Sequence, residues 1–204
     1  MSPKADVSAL RKQQIYQAAL ACFGRKGYHK TTMDDIVAES GLSKGALYWY
    51  FNSKKALFLS LFQDTMGSYG TTWEALIKGE STSAADKLRA SMAFFRAELK
   101  EMVPFVGILL EAWVLTRHDE DVSSLARKFY QPYLDSMTQI IDEGVASGEF
   151  EVRSAEATSL VIMTLYDGVI LALGTGLGSG DWDKLMDAAE ALVLHGVGKR
   201  QPRE

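Results

Sequence analysis

Apolar residues recur at intervals of three and four along almost the whole chain, which is the spacing of amphipathic α-helices. No alternation typical of β-strands is sustained, and the 204 residues contain only four prolines. The pattern predicts an all-α fold of about nine helices. Residues 31–58 predict closely spaced helices joined by very tight turns, and longer helices follow them.

A capping box predicts the start of the first short helix. Thr32 can accept a hydrogen bond from the third residue of that helix, and Asp35 occupies the position that returns the bond. Ser40-Gly41 then ends the helix, since glycine readily takes the left-handed conformation found after a helix. The helix is therefore expected to be short and firmly bounded.

The next two helix starts combine a serine cap with lysines. Ser43 and Ser53 can cap helices that begin at Lys44 and Lys54. Positive side chains in a first turn oppose the helix dipole, by roughly 0.3–1 kcal/mol each when exposed. A bound anion would relieve this conflict, because backbone N–H groups and lysines would converge on it. Phosphate is the anion this predicts, so Lys44, Lys54 and Lys55 become candidate DNA contacts.

The helix from Lys44 to about Tyr50 separates into two faces. Leu47 and Phe51 are four residues apart and are predicted to be buried. The opposite face carries aromatic rings beside small residues, which is unusual for a surface and suits a helix lying in a DNA groove. The alternative is that the rings pack on neighbouring helices, most readily at Tyr50. The predicted DNA-binding residues are Thr32, Lys44, Gly45, Ala46, Tyr48, Trp49, Tyr50, Lys54 and Lys55.

This stretch resembles the N-terminal domain of the TetR family of bacterial transcriptional regulators. The matching residues begin at Ile15, include Gly27-Tyr28, Thr31-Thr32 and Ser43-Lys44-Gly45, and end at Leu57-Phe58. The match covers about 50 residues, and the rest of the chain matches the family in architecture only. The resemblance implies a ligand-responsive DNA-binding regulator, by default a repressor, that acts as a homodimer in the cytoplasm.

We place a domain boundary after residue 53. Residues 1–53 are predicted to form a three-helix DNA-binding domain with a helix-turn-helix, and residues 54–204 a larger helical ligand-binding and dimerisation domain. Residues 1–64 hold nine Lys/Arg against five Asp/Glu, and residues 65–204 hold thirteen against twenty-one. A basic head on an acidic body fits DNA contact through one end only. The net charge of −4 argues against a general nucleic-acid-binding protein.

The last two long helices are apolar on more than one face. A helix that is apolar all round needs covering on every side, and small residues such as Gly168 and Ala172 permit close helix approach. We predict a homodimer through these two helices; the alternative is a single central helix in a monomer. A two-fold dimer would read a roughly palindromic operator in double-stranded DNA.

The long helices also carry aromatic and methionine residues suited to an effector pocket. Such residues equally fill ordinary cores. Glu111 and Asp167 stand out, because a carboxylate in an apolar segment needs a partner, such as Arg96 or a tyrosine hydroxyl, or a cationic ligand. The predicted effector is small and largely apolar. The predicted ligand-binding residues are Met92, Phe95, Phe105, Leu109, Glu111, Trp113, Tyr130, Tyr133, Met137, Met163, Tyr166 and Asp167.

Motifs of other protein classes are missing from the sequence. The three histidines are far apart, and the turn at residues 118–121 is more typical of a solvated surface than of a metal site. The glycines at residues 174–180 do not match a dinucleotide-binding motif. We therefore expect no cofactor, no metal and no enzymatic activity. The second hypothesis is a helical ligand-binding or scaffolding protein whose head has lost operator binding.

The cellular compartment is predicted from two further features. Cys22 is the single cysteine, so the chain has no internal disulfide framework, as is usual in a reducing cytosol. The first residues contain no apolar signal segment, and no run reaches 18 apolar residues. These features predict a cytoplasmic protein that does not enter a membrane.

Overall fold

The computed structural model describes residues 3–77, 83–102, 106–177 and 181–198. Within these ranges the chain forms nine α-helices, which confirms the predicted all-α fold with an N-terminal helix-turn-helix. The helices are α1 (Pro3–Lys26), α2 (Met33–Ser40), α3 (Lys44–Tyr50), α4 (Lys54–Ile77), α5 (Ala84–Met102), α6 (Val106–Thr116), α7 (Glu120–Ser147), α8 (Ala155–Gly174) and α9 (Trp182–Val197).

The helices belong to two compact units. The first comprises residues 1–67 and 107–126, and the second comprises residues 68–106 and 127–204. The first unit therefore extends past the boundary predicted after residue 53. It takes in the first part of α4, together with α6 and the start of α7. Hydrogen bonds and ion pairs between residues distant in sequence, described below, account for this difference.

The first unit has a continuous apolar core. In it α1 packs against α2, and α2 packs against α3. The aromatic rings of Phe23, Tyr28 and Phe58 lie against one another, with centroids 4.9–6.0 Å apart. The buried residues of this core include Ile15, Ala19, Cys22 and Phe23 on one side of α1, together with Ile36, Leu47, Leu57 and Phe58.

The second unit is held together by helix packing and by one branched ion-pair network. Here α8 packs against α5 and α9, and α5 packs against α9. The Arg96 guanidinium on α5 lies 2.8 Å from Asp183 and 2.7 Å from Asp187, both on α9. It also lies 3.6 Å from Glu190. Arg96 is thus committed to α9 and is not the partner of either carboxylate singled out from the sequence.

The helix α8 leaves much of its apolar surface uncovered. By length and composition it could cross a membrane, with a mean hydropathy of 1.7, although it carries Asp167 and packs on two other helices. Val161 on α8 is 65% exposed and Leu192 on α9 is 67% exposed. Two adjacent helices of the second unit therefore carry uncovered apolar side chains.

Candidate DNA-binding interface and effector site

The predicted capping box fixes the start of α2. The Thr32 N–H donates to Asp35 Oδ2 at 2.9 Å, and the Asp35 N–H donates to Thr32 Oγ1 at 3.1 Å. The Lys26 ammonium of α1 donates to Asp35 Oδ1 at 2.6 Å. Hydrogen bonds from Lys26 and then from Thr32 lower the pKa of Asp35 to about 2. Because Asp35 stays ionised, α2 is tied both to its own cap and to α1.

The helix α3 presents an aromatic face to solvent. Ser43 caps it by accepting from the Ala46 N–H at 3.2 Å, and Leu47 and Phe51 are buried as predicted. On the opposite face Tyr48 is 42% exposed and Trp49 is 75% exposed. Neighbouring Gly45 is also exposed, so the backbone can approach a flat or grooved partner closely.

Two residues of the predicted face are less accessible. Tyr50 and Ala46 are half-buried, and the Tyr50 ring lies edge-on to Trp49, with centroids 4.6 Å apart. The alternative that rings pack within the head therefore applies to Tyr50 and leaves Tyr48 and Trp49 available. Tyr50 supports the orientation of the Trp49 ring.

Lys44 is exposed at the start of α3. Its ammonium lies 2.7 Å from Asp34 Oδ1 and stands 5.9 Å from the Tyr48 ring centroid. The hydrogen bond that it donates to Asp34 raises the pKa of Lys44, so the side chain stays charged. An exposed ion pair of this kind contributes little to stability. A DNA phosphate can therefore replace Asp34 as the partner of Lys44.

Lys54 has a structural role that sequence reasoning missed. Its ammonium donates to the carbonyl oxygens of Tyr28, His29 and Thr31 at 2.6, 3.2 and 2.8 Å, and it lies 4.4 Å from the Tyr28 ring centroid. Burial lowers the pKa of Lys54. The charge that opposed the dipole of α4 is thus compensated by three carbonyls within the first unit, and the phosphate contact of Lys54 stays a prediction.

Lys55 also forms ion pairs within the first unit. Its ammonium lies 2.8 Å from Asp119 and 2.6 Å from Asp121, and the hydrogen bonds that it donates to these two carboxylates raise its pKa to about 12. Asp119 just before α7 and Asp121 in its first turn are thus ion-pair partners of α4. Across the described ranges, no group of three or more His, Cys, Asp or Glu residues is placed to hold a metal ion.

Glu111 is a second structural residue that was predicted to bind ligand. Its Oε1 accepts from the Tyr28 N–H at 3.0 Å. The same oxygen would lie 3.1 Å from a Cβ at Gly27, where φ is +74°. Only glycine suits this position, because the backbone is left-handed and the carboxylate approaches it closely. Glu111 therefore joins α6 to the turn after α1.

The structure divides the predicted ligand-binding residues between the two units. Leu109, Glu111 and Trp113 lie on α6 in the first unit, where Trp113 is exposed. Phe105 lies outside the described residues. Glu111 already accepts a hydrogen bond from a backbone N–H. The other described members of the predicted set lie in the second unit, and the whole set stays a prediction. Those members are Met92, Phe95, Tyr130, Tyr133, Met137, Met163, Tyr166 and Asp167.

Three of the remaining residues, Phe95, Tyr133 and Tyr166, belong to one aromatic cluster. Met92, Met137 and Met163 are buried, as core residues would be. Phe95 stacks on Tyr166 with ring centroids 5.2 Å apart. Sequence reasoning omitted Trp73 on α4, although its ring lies within 5.4 Å of three other rings in the cluster. Its position in a weakly amphipathic helix gave little sign of which face would be buried.

Asp167 carries an unusual charge for its surroundings. Burial raises its pKa to about 6, and a hydrogen bond from the Tyr130 hydroxyl opposes that rise. The same surroundings raise the pKa of Tyr130 to about 12, through burial and then through the charge of Asp167. Asp167 is therefore ionised at neutral pH at a cost to the folded state.

We expect Asp167→Asn to stabilise the protein at pH 7. A carboxyl whose pKa is about 6 when folded and near its usual 3.8 when unfolded contributes full stability below pH 4 and loses it as pH rises through 6. The gain at pH 7 should be about 3 kcal/mol, shrinking towards zero at pH 4. Urea unfolding at both pH values measures it; an equal effect at both would contradict the assigned ionisation.

Comparison with known proteins identifies the head. Residues 15–61 match the family model of bacterial regulatory proteins of the tetR family. The HTH-type transcriptional regulator YfiR of Bacillus subtilis (strain 168) is 28% identical over 178 residues, which cover 83% of this chain and 84% of that relative.

Solved structures share the complete fold. A transcriptional regulator from Saccharomonospora viridis in complex with choline has a TM-score of 0.80 at 19% identity, covering 94% of this chain and 100% of its own. The transcriptional regulator FadR from Bacillus subtilis in complex with stearoyl-CoA has a TM-score of 0.71 at 22% identity, covering 90% and 98%.

The capped tight turn, the exposed aromatic face of α3 and these matches define a class. The chain is a helix-turn-helix DNA-binding transcriptional regulator rather than an enzyme. Its residues 15–61 match the DNA-binding domain model of the tetR family of bacterial regulators, and relatives along most of its length are HTH-type transcriptional regulators.

Proposed function

We propose that the protein is a cytoplasmic repressor that binds a palindromic operator as a homodimer and is released by a small, largely apolar effector. The exposed face of α3 is the observation that carries this proposal. Tyr48 and Trp49 are exposed beside Gly45, and a short, capped helix offering rings and a lysine suits the major groove. The proposed contact residues are Thr32, Lys44, Gly45, Ala46, Tyr48, Trp49 and Tyr50.

The proposed dimer uses the uncovered surface of α8 and α9. Val161 and Leu192 are exposed there and line a shallow apolar groove with Leu165 and Val193. A second copy would cover this groove with the same surface, as a two-fold interface requires. Two heads carried by one dimer would then read two half-sites about one helical turn of DNA or slightly more apart.

The proposed release acts through α6. This helix follows α5 along the chain, and it belongs to the compact unit of the head. Glu111 on α6 holds the Tyr28 N–H, and Lys54 at the start of α4 holds the Tyr28 carbonyl. A displacement of α6 would therefore move the turn that positions α2. An effector produces release only if its affinities for the two arrangements differ.

The proposed effector site lies in the second unit. Two proteins of the same fold are named in complex with choline and with stearoyl-CoA, and we infer that this chain also holds a small organic ligand. The aromatic cluster that includes Phe95 and Tyr166 offers the largest set of ring contacts in the described part of that unit.

Selection from random duplex DNA on the purified protein tests the proposal. We expect enrichment of a palindromic sequence at low salt and much weaker enrichment at high salt, because phosphate contacts release counterions. Enrichment of an unrelated, asymmetric set of sequences would contradict the dimeric operator reader. Absence of enrichment at both salt concentrations would favour a helical ligand-binding protein with a silent head.

We expect Trp49→Ala and Tyr48→Ala each to weaken binding to the selected duplex by about tenfold, through lost contacts with bases and sugars. Both side chains are exposed, so the melting temperature and the mass of the dimer should not change. Fluorescence anisotropy with the labelled duplex measures the affinity. Val145→Ala, which shortens an exposed apolar side chain of α7, is the matched control. Unchanged affinity in both variants would show that another surface contacts DNA.

A further inference from the structure

A chain of ring contacts in the second unit leads to the residue next to Asp167. Tyr133 of α7 packs on Trp73 of α4, with ring centroids 5.1 Å apart. Trp73 packs on Phe95 of α5 at 5.2 Å, and Phe95 stacks on Tyr166 of α8 at 5.2 Å. Asp167 follows Tyr166 in α8. Four helices thus contribute rings to one connected cluster.

A hydrogen bond links Asp167 to α7, the helix that carries Tyr133. The Tyr130 hydroxyl donates to the Asp167 carboxylate. Tyr130 lies three residues before Tyr133, on the same side of α7. Both ends of the chain of rings are therefore adjacent to Asp167 or to its hydrogen-bond partner. The hydrogen-bond partner of Asp167 thus lies one turn of α7 away from the Tyr133 ring of the cluster.

Several polar groups of the cluster are unsatisfied within the described part of the chain. Trp73 Nε1 and Tyr166 Oη have no hydrogen-bond partner there, although each side chain is only 2% exposed. Among the described residues, no Lys, Arg or His forms an ion pair with Asp167. Buried polar groups without partners cost about 1–3 kcal/mol each in a finished core. Two such atoms within one aromatic cluster are typical of a binding site.

We propose that the effector carries a positively charged nitrogen with apolar substituents, and that Asp167 is its counter-ion within this cluster. This inference rests on the proposed function, because it assigns a ligand class to the effector site. Aromatic faces attract organic cations, and the carboxylate supplies the compensating charge. Trp73 Nε1 and Tyr166 Oη can bond to a hydroxyl or carbonyl elsewhere on the ligand. A fatty-acid anion fits poorly, since Asp167 would repel its carboxylate.

Calorimetric titration with matched probes tests the ligand class. The cationic probes are choline and decyltrimethylammonium. Their controls are 3,3-dimethylbutan-1-ol, in which carbon replaces the nitrogen of choline, and decanoate, which carries a negative charge on a chain of equal length. We expect each cation to bind the full-length protein at least about tenfold more tightly than its control.

Substitution of the carboxylate tests the site. Asp167→Asn keeps the shape and the acceptor for Tyr130, and we expect it to lower the affinity for both cations by about tenfold or more. Asp142→Asn removes an exposed carboxylate of α7 and should leave the affinity unchanged. A melting curve for each variant confirms that it is folded.

Three results would overturn this inference: equal cation affinity in the wild type and Asp167→Asn, tighter binding of decanoate than of decyltrimethylammonium, or no binding of either cation. Titration of the selected duplex on the same samples separates this inference from the proposed function. A protein that binds the duplex but not the cations overturns the ligand class alone. A protein that binds the cations but no duplex overturns the operator-binding role and supports the ligand class.

Discussion

Leu192→Glu is expected to turn the protein into a monomer and to reduce its affinity for the operator by about 100-fold or more. Leu192 is 67% exposed on α9, and Val161 on α8 is 65% exposed. In the proposed dimer the new carboxylate would be buried without a partner, once in each protomer. Operator affinity falls because each head must then bind its half-site alone.

Sedimentation velocity and operator titration measure these two effects on one preparation. Val145→Glu places the same charge on an exposed position of α7, outside the proposed interface, and should leave both the mass and the affinity unchanged. A Leu192→Glu protein that sediments as a dimer would place the interface on another surface.

Lys54→Met is expected to destabilise the head by about 2–3 kcal/mol. The ammonium of Lys54 donates to three carbonyl oxygens, those of Tyr28, His29 and Thr31. Methionine retains most of the apolar stem, but it leaves these carbonyls without their charged donor. Urea unfolding followed by tryptophan fluorescence measures the change, and operator affinity should fall with the fraction of folded head.

The neighbouring lysine provides the matched control. Lys55→Met breaks ion pairs with Asp119 and Asp121 whose side chains are partly or largely exposed, so its effect on stability should stay below about 1 kcal/mol. If Lys54→Met is no more destabilising than Lys55→Met and instead weakens DNA binding in a fully folded protein, Lys54 is a phosphate contact as the sequence pattern predicted.

Local signals in the sequence predicted most of the fold. Each of these signals acts over only a few residues. They are the capping box at Thr32, the caps at Ser43 and Ser53, and the left-handed Gly41. Their geometry follows from chain-local chemistry, so the helix boundaries could be read without a structure. The burial of Leu47 followed in the same way from helical periodicity.

Interactions between distant residues could not be read from the sequence. The sequence showed that the charge of Lys54 is unfavourable at a helix start. The groups that compensate this charge are carbonyls 23 to 26 residues away. Glu111 needed a partner, and the partner is a backbone N–H 83 residues away. Backbone groups are the same in every residue, so sequence patterns do not reveal which of them a side chain will bind.

The sequence predicted that the long helices hold an effector site, but it did not predict which residues form that site. Asp167 was recognisable as a carboxylate in an apolar helix, and Tyr130 was one of several tyrosines that could satisfy it. Trp73 and the absence of a cation beside Asp167 in the described ranges emerge only from the packing of four helices. The same packing moved Leu109 and Trp113 into the other compact unit.

The central claim is that a dimer reads a palindrome through α3. Its most direct test is a stoichiometric titration of the selected duplex, and of a duplex with one half-site scrambled, at several salt concentrations. We expect an even number of protomers on the intact duplex, a steep loss of affinity with salt and a large loss with the scrambled half-site. One protomer per duplex, with equal affinity for both DNAs, would contradict the account.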